Sequence, residues 1–206
     1  MKLSARLAIV AAAWLLVVTF SALAADVDPG LCTLCHGTEA RGNAAVRAPR
    51  LAGLAPWYLQ GQIRAYQANL RGIHPTDLPG NEMRFIAATL TDEAAVDEVL
   101  VRFSKGTPTA STSTVSGDAV RGEQLYASCA ACHGGRGEGN ESLKAPALAG
   151  GSDWYQLAQL RNFTQGLRGT EAADPTGQQM RAAASALPDS QAAADVVAYI
   201  STLRGL

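Results

Sequence analysis

A chain of 206 residues allows one ordinary domain or two small ones. Its formal net charge is −1 and it contains no basic run, which excludes the profile of a nucleic-acid-binding protein. It has only four cysteines and three histidines, so their placement is the informative feature.

Residues 1–24 read as an export signal. Lys2 and Arg6 precede an apolar run over 7–20, and Ala22-Leu23-Ala24 suits cleavage before Ala25. The run is 14 residues long, short of the ~20 that cross a bilayer as a helix. A periplasmic protein is therefore expected, with an uncleaved membrane anchor as the alternative. Beyond the signal the chain carries 15 Lys and Arg against 18 Asp and Glu, a net −3.

Next comes Cys32-Thr33-Leu34-Cys35-His36, and 97 residues later Cys129-Ala130-Ala131-Cys132-His133. C-x-x-C-H is the attachment signature of haem c. Two thiols on one helical turn reach the two vinyl groups of one porphyrin, and the adjoining histidine lies under the iron. The pattern predicts two covalently bound haem c groups, held by Cys32 and Cys35 and by Cys129 and Cys132, with His36 and His133 as axial ligands. In an oxidising compartment two disulfides are the plain alternative, but they leave both histidines unexplained. A four-cysteine zinc site would have to join pairs about a hundred residues apart. A thioredoxin-like C-x-x-C needs a βαβ context that the sequence lacks.

The 97-residue shift continues well past the motifs. It maps Pro49 to Pro146, Leu51 to Leu148 and Gly53 to Gly150, then Trp57-Tyr58 to Trp154-Tyr155 and Gln62 to Gln159. It also maps Leu70-Arg71-Gly72 to Leu167-Arg168-Gly169, Asp77 to Asp174, and Met83-Arg84 to Met180-Arg181. An ungapped register of this length is a duplication. The expected fold is all-α, with two tandem haem-bearing domains related by internal duplication, over 25–105 and 118–206. Residues 106–117 are Ser/Thr-rich and read as a linker.

Within each unit a glycine-rich loop (37–53, 134–151) follows the motif. A helix is predicted over 57–70 and 154–167, with Leu59, Ile63, Tyr66 and Leu70 on one face and Gly72 or Gly169 as its stop. A loop then leads to the methionine. A last helix follows Thr91-Asp92-Glu93 or Pro188-Asp189-Ser190, burying Val96, Leu100 and Phe103 in the first unit and Val196, Ile200 and Leu203 in the second. No period-2 run predicts a sheet. The units differ at their starts. Asp118 suits a cap for a full leading helix with Gly122, Leu125 and Tyr126 on its packing face. In the first unit Asp28-Pro29 predicts a short helix starting near Pro29, which leaves the first haem less shielded on that side.

Met83 and Met180 each lie 47 residues after their histidine and end the pattern Asp-x-x-Gly-x-x-Met. Core filler does not predict matched spacing, so both are read as the sixth iron ligands. His/Met ligation closes both irons to substrate and favours Fe(II), which suits one-electron transfer. His74, whose counterpart is Glu171, is read as a surface or propionate-contacting residue. Pro49 and Pro146, each 13 residues after a histidine, are candidate carbonyl acceptors for its second ring N–H. Trp57, Tyr58, Trp154 and Tyr155 are expected to pack near the porphyrins. Arg64, Arg71, Arg161 and Arg168 are candidates for balancing propionate charge.

C-x-x-C-H, Ala-Pro-x-Leu-Ala-Gly, Trp-Tyr, Arg-Gly and a late methionine, twice over, resemble the dihaem cytochrome c4 family across nearly all of the chain after the signal. The resemblance implies two class I cytochrome c folds about a pseudo-twofold axis with propionates near the interface. It implies an electron carrier, not an enzyme, whose redox protein partners are a terminal oxidase, a cytochrome bc1-type complex or a dehydrogenase, with possible peripheral membrane association. The alternative is a relay subunit of a dehydrogenase complex, such as flavocytochrome c sulfide dehydrogenase. A dihaem peroxidase would need one displaceable methionine.

Overall fold

A computed structural model describes residues 28–107 and 113–203. The signal segment and part of the linker lie outside the described residues. The order is α1 (Pro29–His36), α2 (Pro56–Gln67), α3 (Leu78–Thr89) and α4 (Glu93–Ser104), then α5 (Ala119–His133), α6 (Asp153–Thr164), α7 (Pro175–Ser185) and α8 (Ser190–Ile200). Two short 3₁₀ turns, Thr38–Ala40 and Ala44–Val46, interrupt the first glycine-rich loop. The described residues are otherwise helix and loop, with two isolated bridges, Asn43 to Ala48 and Asn140 to Ala145, themselves related by the 97-residue shift.

Side chains start the helices as their sequences dictate. Asp28 accepts from the Gly30 N–H at 2.7 Å, with Pro29 at the first helical position. Asp118 accepts from the Val120 and Arg121 N–H groups at 2.9 and 3.2 Å. The leading helix is thus eight residues long in the first unit and fifteen in the second. The extra length lets α5 pack along α8, the most extensive helix pairing among the described residues. The close crossing depends on Gly122, where a Cβ would sit 2.0 Å from the Asp195 carbonyl oxygen. In the first unit, α1 meets the cluster of Ala40, Val99 and Phe103 through Cys32.

The faces read from periodicity are the buried ones. Leu59, Val96 and Leu100 cluster with Leu90 in the first unit. Tyr126, Val196 and Ile200 cluster in the second, with Leu125 and Leu203 against them.

Two expectations need correction. Met83 and Met180 are not preceded by loop alone: each is the sixth residue of a helix, α3 or α7. Asp77 and Asp174 cap those helices through the Gly80 and Gly177 N–H groups at 3.2 and 2.8 Å, with prolines in the first turn. The apolar pattern there is weak, and caps rather than periodicity define the element. Second, α2 and α6 stop earlier than Gly72 and Gly169. The left-handed residues behind them are Asn69 (φ 55°) and Gly166 (φ 72°), again 97 apart. Gly72 and Gly169 have a different task. A Cβ there would lie 2.2 and 2.3 Å from the carbonyl oxygens of Gly80 and Gly177, so these pairs let the chain cross the first turn of α3 and α7.

Candidate functional site

Each C-x-x-C-H motif forms the last turn of its leading helix, α1 or α5. Helical spacing sets the cysteines on one side. Cys32 and Cys129 are half-buried, Cys35 and Cys132 are exposed, and no two of them form a disulfide. Burial pushes the Cys32 and Cys129 thiols up. Among the described residues, no three His, Cys, Asp and Glu side chains converge as a metal cluster would require.

The histidines are set by the backbone. His36 Nδ1 donates to the Pro49 carbonyl oxygen at 2.7 Å, and His133 Nδ1 to the Pro146 carbonyl oxygen at 2.8 Å. A carbonyl only accepts, so Nδ1 carries the proton and Nε2 keeps its lone pair free for a metal. Exposure is 8 % for His36 and 7 % for His133, so the shorter α1 does not lay its imidazole open. Burial holds both below the usual histidine range, partly opposed by the proline carbonyls. The glycine-rich loops return the prolines to this place by a shared route. The N–H groups of Gly42 and Gly139 donate to the His36 and His133 carbonyls at 2.7 and 2.8 Å. At Gly42 (φ 94°) and Gly139 (φ 84°) a Cβ would strike the backbone beside Pro49 and Pro146.

These residues fit a covalently bound haem c in each unit. Two thiols stand one turn apart, the adjoining imidazole is in the metal-binding tautomer, and its hydrogen-bond acceptor is fixed. Directly after Pro49, the buried Arg50 has no acceptor for Nε and Nη1 among the described residues, which suits an anionic group.

Residues 119–204 match the family model for cytochrome c. The thiosulfate dehydrogenase electron acceptor of Stutzerimonas stutzeri (strain A1501) is 35% identical over 158 residues, covering 73% of this chain and 71% of that protein. The chain belongs to the cytochrome c4 family of dihaem cytochromes. Cytochrome c4 of Azotobacter vinelandii is 28% identical over 199 residues, covering 90% of this chain and 89% of its own. The solved structure of Acidithiobacillus ferrooxidans cytochrome c4 superposes with a TM-score of 0.66 at 27% identity, covering 84% of this chain and 98% of that one. As a cytochrome c4-like protein it carries two covalently bound haem c groups and transfers electrons without being an enzyme itself.

The two domains of this cytochrome meet through residues that repeat. Arg71 donates Nη1 to Gln62 Oε1 at 2.5 Å within its own domain. Across the interface its Nη2 donates to the Tyr155 hydroxyl at 2.5 Å and to Gln159 Oε1 at 3.2 Å. Arg168 donates Nη1 to Gln159 Oε1 and Nη2 to Gln62 Oε1, both at 2.8 Å. Since Gln62 and Gln159, like Arg71 and Arg168, are partners under the 97-residue shift, the network has the pseudo-twofold symmetry of the duplication. Burial works against ionising Tyr155, but the adjacent Arg71 and Arg168 guanidiniums outweigh it and hold its hydroxyl below the ordinary value. Burial pushes the Tyr58 hydroxyl up. Nearby, the Lys144 ammonium lies 5.4 Å from the centre of the Trp57 ring, and the Arg50 N–H donates to Ser152 Oγ at 3.2 Å.

The candidate arginines therefore divide. Arg71 is buried and Arg168 half-buried in the interface, bonded to amides and a phenol. Arg64 and Arg161 are exposed, and Arg64 lies 3.8 Å from Glu93. His74 bonds locally to Thr76. Trp57 and Trp154 stand edge-on to Tyr58 and Tyr155 at centroid distances of 5.9 and 6.0 Å. Sequence reading passed over Gln62 and Gln159 as site residues, and their exact repetition was the available signal. It also passed over Asp153, 2 % exposed, which accepts from the Val115 N–H at 2.8 Å, Thr114 Oγ1 at 3.0 Å and the Thr114 N–H. Asp195 likewise accepts from the Asp118 N–H at 2.8 Å. The described end of the linker is thus pinned to the second domain rather than free.

Proposed function

We propose that this protein is a periplasmic carrier that takes single electrons from a dehydrogenase and delivers them to a respiratory acceptor such as a terminal oxidase. In this reading residues 1–24 are the export signal, and the domains span 25–105 and 118–206, joined by 106–117. A bound haem c supplies a one-electron Fe(II)/Fe(III) couple. His36 and Met83 would hold the iron of the first haem, and His133 and Met180 that of the second. Pro49 and Pro146 keep the imidazoles oriented, while Trp57, Tyr58, Trp154 and Tyr155 line the pockets.

The observation that carries this reading is the duplicated frame joined by a buried interface. The histidine–proline hydrogen bonds differ by 0.1 Å between domains, and the methionines occupy the same place on α3 and α7. Matched rigid ligand sets keep reorganisation small, and direct docking of the two domains keeps them adjacent. The donor side draws on the Stutzerimonas stutzeri relative, whose name makes it the electron acceptor of thiosulfate dehydrogenase. That favours a dehydrogenase acting on a small reduced sulfur compound.

The holoprotein should be low-spin when oxidised and show the long-wavelength thioether–iron band. Met83→Ala and Met180→Ala should each open one iron to cyanide or imidazole. A variant that binds neither ligand would show that its methionine is not axial. Stopped-flow mixing with thiosulfate dehydrogenase tests the donor: reduction no faster than by the enzyme's substrate alone would exclude that partner.

A further inference from the structure

Arg50 is the residue whose chemistry the fold leaves unanswered. It is 6 % exposed, and its Nε and Nη1 have no hydrogen-bond partner. Among the described residues it makes no ion pair, and its backbone N–H is already held by Ser152 Oγ. Two buried guanidinium donors without an acceptor are unfavourable, which points to an anion in contact with them. No carboxylate among the described residues supplies one. The chain places Arg50 directly after Pro49, whose carbonyl holds the His36 imidazole, so its backbone lies beside the residue that would hold the first haem. The anionic groups that a haem brings are its two propionates. Planar, forked donors suit a carboxylate. The repeat makes this a feature of one domain, because the residue after Pro146 is Ala147.

We propose that Arg50 anchors a propionate of the first-domain haem, and that this side chain, replaced by alanine in the second domain, sets the two irons at unequal potentials. A fixed cation disfavours the extra positive charge of Fe(III) and offsets the propionate charge that would favour it. The first-domain haem is therefore the higher-potential one in this respect, and an electron on the protein rests preferentially there. Arg50 acts as a positioning residue through the cofactor carboxylate and does not touch the iron.

The test is a redox titration of the holoprotein that resolves both irons, with Arg50→Gln and Arg50→Lys alongside the wild type. The haem that responds is identified by nuclear Overhauser contacts from its methyl groups to Cys32 and Cys35 or to Cys129 and Cys132. Loss of a buried unit charge should shift the Fe(II)/Fe(III) ratio at one iron about tenfold toward Fe(III), about 59 mV for a one-electron couple. That iron should be the first, the second should stay put, and lysine should recover most of the shift. Unchanged midpoints, equal movement of both, movement of the second alone, or lysine behaving as glutamine would each overturn the assignment. A wild-type midpoint that depended on added chloride or phosphate would also overturn it, since a free anion would then be the partner. Should the glutamine variant not assemble, the wild type decides. The Arg50 Nε–H, assigned through its backbone, should exchange slowly and show contacts to propionate methylenes of the first haem. Absence of those contacts refutes the proposal.

Discussion

Gly72→Ala tests how the fold holds the methionine-bearing helix. The new Cβ would lie 2.2 Å from the Gly80 carbonyl oxygen and 3.0 Å from a Tyr66 ring carbon, at a φ of +71°. The first contact is with backbone, so it cannot be relieved by a rotamer change. Left-handed φ costs an alanine roughly 1–2 kcal/mol, and overpacking adds about 1–3 kcal/mol. The total of about 2–5 kcal/mol rivals the lower end of the 5–15 kcal/mol typical of whole-protein stability. Relief requires the first turn of α3 to move away from the segment that carries Gly72, and Met83 lies three residues beyond Gly80 on that helix. Urea denaturation should show the loss, and the thioether–iron band should weaken at one haem. Gly169→Ala should do the same in the second domain, where the clash with the Gly177 carbonyl is 2.3 Å. Gly61 is the control. It sits inside α2 with nothing within 4 Å of a Cβ, so Gly61→Ala should stabilise by about 0.5–1 kcal/mol through helix propensity. If Gly72→Ala matched the wild type in both midpoint and spectrum, the close crossing described here would be wrong.

Gln159→Leu should leave guanidinium donors of Arg71 and Arg168 unsatisfied in the interface, at about 1–3 kcal/mol. Calorimetry should then show the domains unfolding separately, with the haem spectra unaltered. Tyr126→Phe removes the hydroxyl that donates to the Gly134 carbonyl at 2.8 Å, and should cost about 1 kcal/mol in second-domain denaturation. Asp153 gives an acid dependence. Burial raises its pKa, but hydrogen bonds from Thr114, Val115 and Trp154 outweigh it and leave the folded value below the unfolded one. The folded state then binds fewer protons, so this stabilisation is complete above the unfolded pKa of about 3.9 and is lost as pH falls through the lower folded value. Denaturation midpoints from pH 6 to pH 2.5 should fall less steeply for Asp153→Asn, which starts lower at neutral pH; identical slopes would remove Asp153 from the account.

The sequence alone determined what lies within one repeat. Cysteine and histidine spacing is local chemistry on one helical turn, and it needs no tertiary contact to be read. Duplication made the rest of each unit legible, because a residue kept at a 97-residue shift is held by the same local frame. Asp28-Pro29 foretold the eight-residue α1, since cap and proline act within the first turn.

Tertiary structure decided three things that composition and period do not carry. Met83 and Met180 lie on helices set by capping aspartates and by glycine-to-carbonyl crossings between segments, not by an apolar stripe. The sequence offers Arg71 and Arg168 only as charge-balancing candidates, and Gln62 and Gln159 only as repeated residues. Only docking of the two domains turns them into one partly buried network, because each finds part of its hydrogen bonding in the other copy. Arg50 shows the same limit most sharply: its charge is visible in the sequence, but its want of an acceptor arises from burial, which depends on everything packed around it.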